Sequence, residues 1–179
     1  MQDSKPGRLD KAAEWVWSVA GLGFIPLAPS FWGALGGLPL YALLFLLGWK
    51  AYLAGYAAIF LLGWLVSARS LAFYQKPGQK AVQNQRVVID RTFGFLTAMF
   101  LAPQYDFLVF PFLWGFFLFL LVDYLKPWLV GQANRREGAL FIMLDDFLAG
   151  LASCFIMWLV AIAHYLFVQP HILPAIFAR

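Results

Sequence analysis

Charged residues make up only 12% of this 179-residue chain, which has one cysteine and two histidines. Each shortage excludes something. A soluble globular domain is typically about a quarter charged. A chain this poor in charge and 63% hydrophobic therefore reads as an integral membrane protein. The lone Cys154 lies in a hydrophobic run, which excludes an internal disulfide and any cysteine-based zinc cluster. The first eleven residues are polar, so no secretory signal peptide is expected there. The length suits one compact bundle, with residues 1–179 as a single membrane domain. The formal net charge of +4 reads as topology, with anionic lipid head groups as neighbours and no nucleic-acid partner.

What is abundant is apolar sequence in long runs. The expected fold is all-α: a polytopic membrane helix bundle of four to five transmembrane helices behind an N-terminal interfacial or re-entrant segment. Residues 1–13 form a polar N-terminus and residues 14–30 the interfacial segment, where Trp15, Trp17 and Phe24 are interrupted by Gly21, Gly23, Pro26 and Pro29. The bundle occupies residues 31–168, with spans expected at 31–49, 51–67, 87–101, 107–122 and 140–168, and a tail at 169–179. Several of these are shorter than the usual ~20 residues of a membrane-crossing helix.

Basic residues fall in three clusters: Lys5, Arg8 and Lys11; Arg69, Lys76, Lys80 and Arg86; Lys126, Arg135 and Arg136. Alternating spans place all three on one side, leaving Lys50 and the loop at 103–106 opposite. By the positive-inside rule that side is the cytoplasm, with an N-in orientation in a bacterial inner membrane. The polar stretch "RSLAFYQKPGQKAVQNQR" reads as a solvated connection on that side.

Against this background "FIMLDDFLAGLASCFIMWLV" stands out, because Asp145 and Asp146 are the only charged residues from 140 to 170. A charge inside a membrane segment is costly and usually has a partner. The topology supplies one. Asp90 and Arg91 open the third span, Asp123 and Lys126 close the fourth, and the aspartate pair opens the fifth, all at one membrane face. Asp90 and Gly94 are four apart, as are Asp146 and Gly150, so each acidic face carries a glycine one turn deeper, suited to close helix approach or a ligand gap. Carboxylates crowded in a low dielectric repel one another, and a hard divalent cation relieves this. Oxygen-only ligands suit Mg²⁺, which typically binds a few carboxylates plus a substrate phosphate. Lys126 and Arg91 suit phosphate oxygens, and a membrane-edge site implies a phospholipid substrate. The chemistry expected is metal-assisted phosphoryl hydrolysis or transfer. Asp106, Glu137 and His164 read as ordinary interfacial or packed residues.

These residues carry a family resemblance. "VDYLKPW" followed by "IMLDDFLAG" is similar to the Asp-x-x-Lys-Pro and Ile-Met-x-Asp-Asp-x-x-Ala-Gly motifs of the phosphatidylglycerophosphatase A family. "VVIDRTFGF" resembles its Asp-Glu-x-x-Gly segment, and "GLGFIPLAPSFWGA" its Gly/Pro-rich N-terminal loop. The resemblance spans most of the chain. It implies a Mg²⁺-dependent phosphatase acting on phosphatidylglycerophosphate and carries over Asp90, Asp123, Lys126, Asp145 and Asp146 as site residues. The roles expected are Asp90, Asp145 and Asp146 on the metal and Asp123, Lys126 and, from its own charge, Arg91 in catalysis. The chain departs from the family pattern at Arg91, where a glutamate is expected, at Leu120 in place of an arginine, and at Ser30 and Phe31 in place of glycine and threonine. Arg91 is therefore either a phosphate clamp or the mark of a degenerate homologue serving as a membrane-complex subunit or lipid-binding protein. A transporter with an acidic ion path is the third reading, disfavoured because no chain of acids crosses the midspan.

Overall fold

A computed structural model of the chain describes residues 14–16, 18–25, 27–74, 87–100, 102, 109–134 and 138–168. The expectations for Lys5, Arg8, Lys11, Trp17, Pro26, Lys76, Lys80, Arg86, Asp106, Arg135, Arg136, Glu137, the loop at 103–106 and the tail lie outside these residues. Every regular element among them is helical. A 3₁₀ turn, Leu22–Phe24, precedes α1 (Pro29–Leu46), α2 (Trp49–Tyr74), α3 (Ile89–Phe100), α4 (Val109–Leu125), α5 (Trp128–Asn134) and α6 (Ala139–Ala163), which a π turn extends over His164–Val168.

Three stretches are long and apolar enough to cross a membrane: Pro29–Leu46, Trp49–Leu71 and Ala139–Leu166. A shorter apolar helix covers Phe112–Leu125. The third expected span is shorter than the sequence suggested. At 12 residues α3 rises only ~18 Å, well under the ~30 Å hydrocarbon thickness. It is instead the inner helix. Ile89, Asp90 and every residue from Thr92 to Met99 are buried, enclosed by α1, α2, α4 and α6. By contrast α1, α2 and α6 turn leucines and aromatics outward, among them Leu46, Leu61, Leu65 and Phe155. This is the pattern of helices meeting lipid on one face and a packed interior on the other.

The helices alternate in direction, and side-chain contacts fix which ends meet. Tyr52 Oη donates to the Leu96 carbonyl at 2.8 Å, and the Tyr56 hydroxyl pairs with Thr97 Oγ1 at 2.8 Å. The start of α2 therefore lies against the end of α3. Thr92 Oγ1 donates to the Gly33 carbonyl at 2.6 Å, pinning the start of α1 to the start of α3. Further along α2, Gly63 faces Met143 and Ile89, near the starts of α6 and α3. One end of the bundle thus gathers the beginnings of α1, α3 and α6 with the closing parts of α2 and α4. The N-terminal segment tucks against α1 here too, with Val19 and Leu22 packed on Gly36.

The most extensive packing joins α3 to α6, which run in the same direction. Two glycines make it possible. A β-carbon on Gly94 would meet the Asp146 carbonyl oxygen, and one on Gly150 would meet the Gly94 carbonyl oxygen. With no side chain at either point the backbones touch directly, as in other small-residue helix contacts in membranes. The glycines one turn below the acids therefore serve close approach rather than a ligand gap.

Candidate active site

The end of the bundle defined by these contacts holds all six charged residues singled out in the sequence. Asp90 is the second residue of α3, where the positive end of the helix dipole favours a carboxylate. Asp123 lies two residues before the end of α4, and Asp145 and Asp146 lie in the second turn of α6. All four are buried, with relative exposures of 0%, 5%, 3% and 2%. Each aspartate lies in the electrostatic field of the others and of Arg91, and Asp123, Asp145 and Asp146 lie in that of Lys126 as well. The close α3–α6 crossing sets the Asp90 and Asp146 carboxyl groups in each other's electrostatic field.

Lys126 ties the remaining two together. Its Nζ donates to Asp145 Oδ2 at 2.6 Å and stands 3.7 Å from Asp123 Oδ1. Burial works against its charge, but the hydrogen bond to Asp145 and the negative field of Asp145, Asp146 and Asp123 outweigh that effect. The ammonium accordingly titrates above its ordinary value. The backbone pays attention to this residue as well: Lys126 adopts φ +43°, a left-handed conformation that non-glycine residues rarely take. It is the joint between α4 and α5, where Pro127 forbids simple continuation and the chain turns into a new short helix. Strain of this kind, of order 1–3 kcal/mol, persists where surrounding contacts hold it and is common at functional sites.

Arg91 is held from three directions. Its Nε donates to Ser30 Oγ at 2.8 Å and its Nη1 to the Val87 carbonyl at 2.7 Å. The same Nη1 lies 3.3 Å from Asp90 Oδ1, an ion pair with a fully buried carboxylate. The Arg91 backbone N–H also donates to Asp90 Oδ1, at 2.9 Å. Nη2 takes no partner among the described residues, which leaves two N–H donors on a guanidinium otherwise fixed. Ser30 was not foreseen as a site residue. The signal was present, because Ser30 and Arg91 both depart from the family pattern, and the structure shows that the two departures touch. Leu120 and Phe31 make no polar contact at the site, and exposed His164 lies at the far end of α6.

The donor chemistry suits a hard cation in part. The Asp90–Asp146 pair offers oxygen ligands only, and Asp145 Oδ1 is buried with no hydrogen-bond partner, an unmet acceptor of the type a cation satisfies. Among the described residues no three acidic, histidine or cysteine side chains stand as a ready-made cage. Two carboxylates completed by water and a substrate phosphate are sufficient for Mg²⁺.

Comparison with known proteins identifies the family. The family described as Phosphatidylglycerophosphatase A matches residues 15–161. Phosphatidylglycerophosphatase A of Escherichia coli (strain K12) is 25% identical over 165 residues, covering 89% of this chain and 90% of that protein. No solved structure matches. The matched residues include Asp90, Asp123, Asp145 and Asp146 and the helices that carry them: the chain belongs to the phosphatidylglycerophosphatase A family.

Proposed function

We propose that this protein hydrolyses the terminal phosphate of phosphatidylglycerophosphate to give phosphatidylglycerol, at the cytoplasmic face of a bacterial inner membrane. The observation that carries the reading is the pairing of two anchored cations, Lys126 and Arg91, with four buried aspartates at one end of a membrane helix bundle. A phosphate monoester at the bilayer edge needs positive charge to bind it and a carboxylate to steer water, and this site contains both. Lys126 and Arg91 hold the non-bridging oxygens and offset charge that develops there as the phosphorus–oxygen bond breaks. Asp123, beside Lys126, orients the attacking water and accepts its proton. The glycerol oxygen leaves and takes up a proton. Asp90 and Asp146, with Asp145, would hold a Mg²⁺ ion, which when bound would supply further positive charge for the phosphate.

One observation favours a second reading. Arg91 stands where the family pattern has a glutamate and is already paired with Asp90, so a degenerate homologue that binds the lipid without turning it over is the alternative. Phosphate release from phosphatidylglycerophosphate by the purified protein in detergent, with and without Mg²⁺, separates the two. Turnover that Asp146→Asn abolishes without altering thermal unfolding is the expected result. An inert but folded wild-type protein overturns the phosphatase reading and leaves the binding one.

A further inference from the structure

Between α1 and α4 runs an open groove of about 460 Å³ whose lining is wholly apolar. Phe31, Leu35 and Leu38 form one wall, and Phe112, Leu113 and Phe117 the other. Its position matters more than its volume. Phe31 adjoins Ser30, the residue that takes the Arg91 Nε–H, and α4 runs on from Phe117 to Asp123 and then Lys126. The two helices that wall the groove thus carry at their meeting ends the anchors of both cations. From Phe31 the groove descends ~10 Å along α1 to Leu38. A neutral hydrocarbon trough beneath a pair of cations is complementary in charge and polarity to an anionic lipid, tail below and phosphate above. A second cavity, about 340 Å³ and lined by Tyr41, Trp49, Tyr52 and Phe100, lies at the opposite end of the bundle, away from the carboxylates.

We propose that the α1–α4 groove seats one acyl chain of the lipid whose phosphate meets the aspartate cluster, so that substrate enters sideways from the bilayer. The proposal rests on the phosphatase reading for the identity of the lipid, but the groove can be tested without turnover. Hydrocarbon gains little by leaving lipid for leucine and phenylalanine, since both surroundings are equally apolar. The groove therefore fixes where the tail lies, and the head group decides which lipid stays. Location is the quantity to measure.

The protein in phosphatidylcholine nanodiscs is illuminated briefly with phosphatidylglycerophosphate carrying a diazirine midway along one acyl chain, and the labelled residues are mapped by peptide mass spectrometry. Label is expected at Leu35, Leu38 and Leu113. Excess unlabelled phosphatidylglycerophosphate should remove it. Leu113→Trp, which fills the groove from a position 53% exposed and so outside the packed core, should remove it too. Equal labelling by a phosphatidylcholine bearing the same diazirine chain overturns the proposal, as does label spread evenly over Leu61 and Leu65 of α2, because either marks bulk lipid. Groove label without phosphate release would sink the phosphatase reading alone. Phosphate release without groove label would sink the groove alone.

Discussion

Gly94→Ala adds one methyl group where α3 and α6 touch. A β-carbon there would stand 2.6 Å from the Asp146 carbonyl oxygen and 2.7 Å from the Phe119 ring. A carbon–oxygen contact relaxes at about 3.3 Å, so the two backbones must part by roughly 0.7 Å. Neither neighbour can turn aside, since the oxygen belongs to a helix and Phe119 is fully buried. Overpacking of this kind costs about 1–3 kcal/mol. The residue displaced is Asp146 itself, and on the proposed phosphatase reading a misplacement of this size in a site residue should reduce turnover by up to ~10²-fold. Gly63→Ala is the matched control. Its β-carbon would meet Met143 Cε, also at 2.6 Å, but a thioether end swings away by rotation. Thermal unfolding in detergent and phosphate release are measured for both variants. The expected result is a lower melting temperature and lost turnover for Gly94→Ala, with Gly63→Ala close to wild type. Equal damage in the two variants, or none in Gly94→Ala, refutes the reasoning that backbone contact sets the α3–α6 distance.

Other outcomes follow from the same geometry. A double-mutant cycle of Lys126→Met with Asp145→Asn, read by unfolding, should show a coupling of about 1.5–3 kcal/mol, and a value near zero would mean that the 2.6 Å pair is not made. Arg91→Glu removes the bonds to Ser30 and Val87 and sets a like charge beside Asp90, where the unit-charge term at 3.3 Å is about 5 kcal/mol at an effective dielectric of 20. Its melting temperature should fall in chelator and recover with Mg²⁺ more than wild type does; no differential recovery would argue against a divalent cation among these carboxylates. In a Cys154→Ala background, an impermeant maleimide on intact cells should label Leu47→Cys and not Gln132→Cys. Labelling of both from the same side breaks the N-in topology.

The convergence of charges was legible in the sequence because charge is so scarce here. Asp145 and Asp146 had to find partners, and alternation of apolar segments brought Asp90, Asp123 and Lys126 to the same end. The lengths of the helices were less legible. The run around α3 gave no sign of its burial, because hydropathy does not distinguish a helix facing lipid from one enclosed by other helices. Likewise α2 continues to Tyr74, beyond the expected end at residue 67, because Arg69 does not break a helix. Pro127 was read correctly as a stop to α4, but the new helix α5 and the left-handed turn at Lys126 depend on contacts made only in the folded bundle. Ser30 departed from the family pattern together with Arg91, but their contact was not legible: they lie 61 positions apart, and only the docking of α1 on α3 brings them together.

The shortness of α3 bears on how the protein is made. At 12 residues, with Asp90 and Arg91 in its first turn, α3 lacks the ~20 apolar residues that let a segment leave the translocon for lipid by its own hydrophobicity. It reaches its place by docking into a slot built by its neighbours. Two walls of that slot, α1 and α2, are synthesised first. The wall with which it packs most extensively, α6, comes last. Burial of Asp90 is therefore a late tertiary event that awaits the C-terminal helix. A nascent chain that stops short of Ala139 lacks Asp145 and Asp146 and the helix that encloses Asp90, so the aspartate cluster exists only in the finished chain.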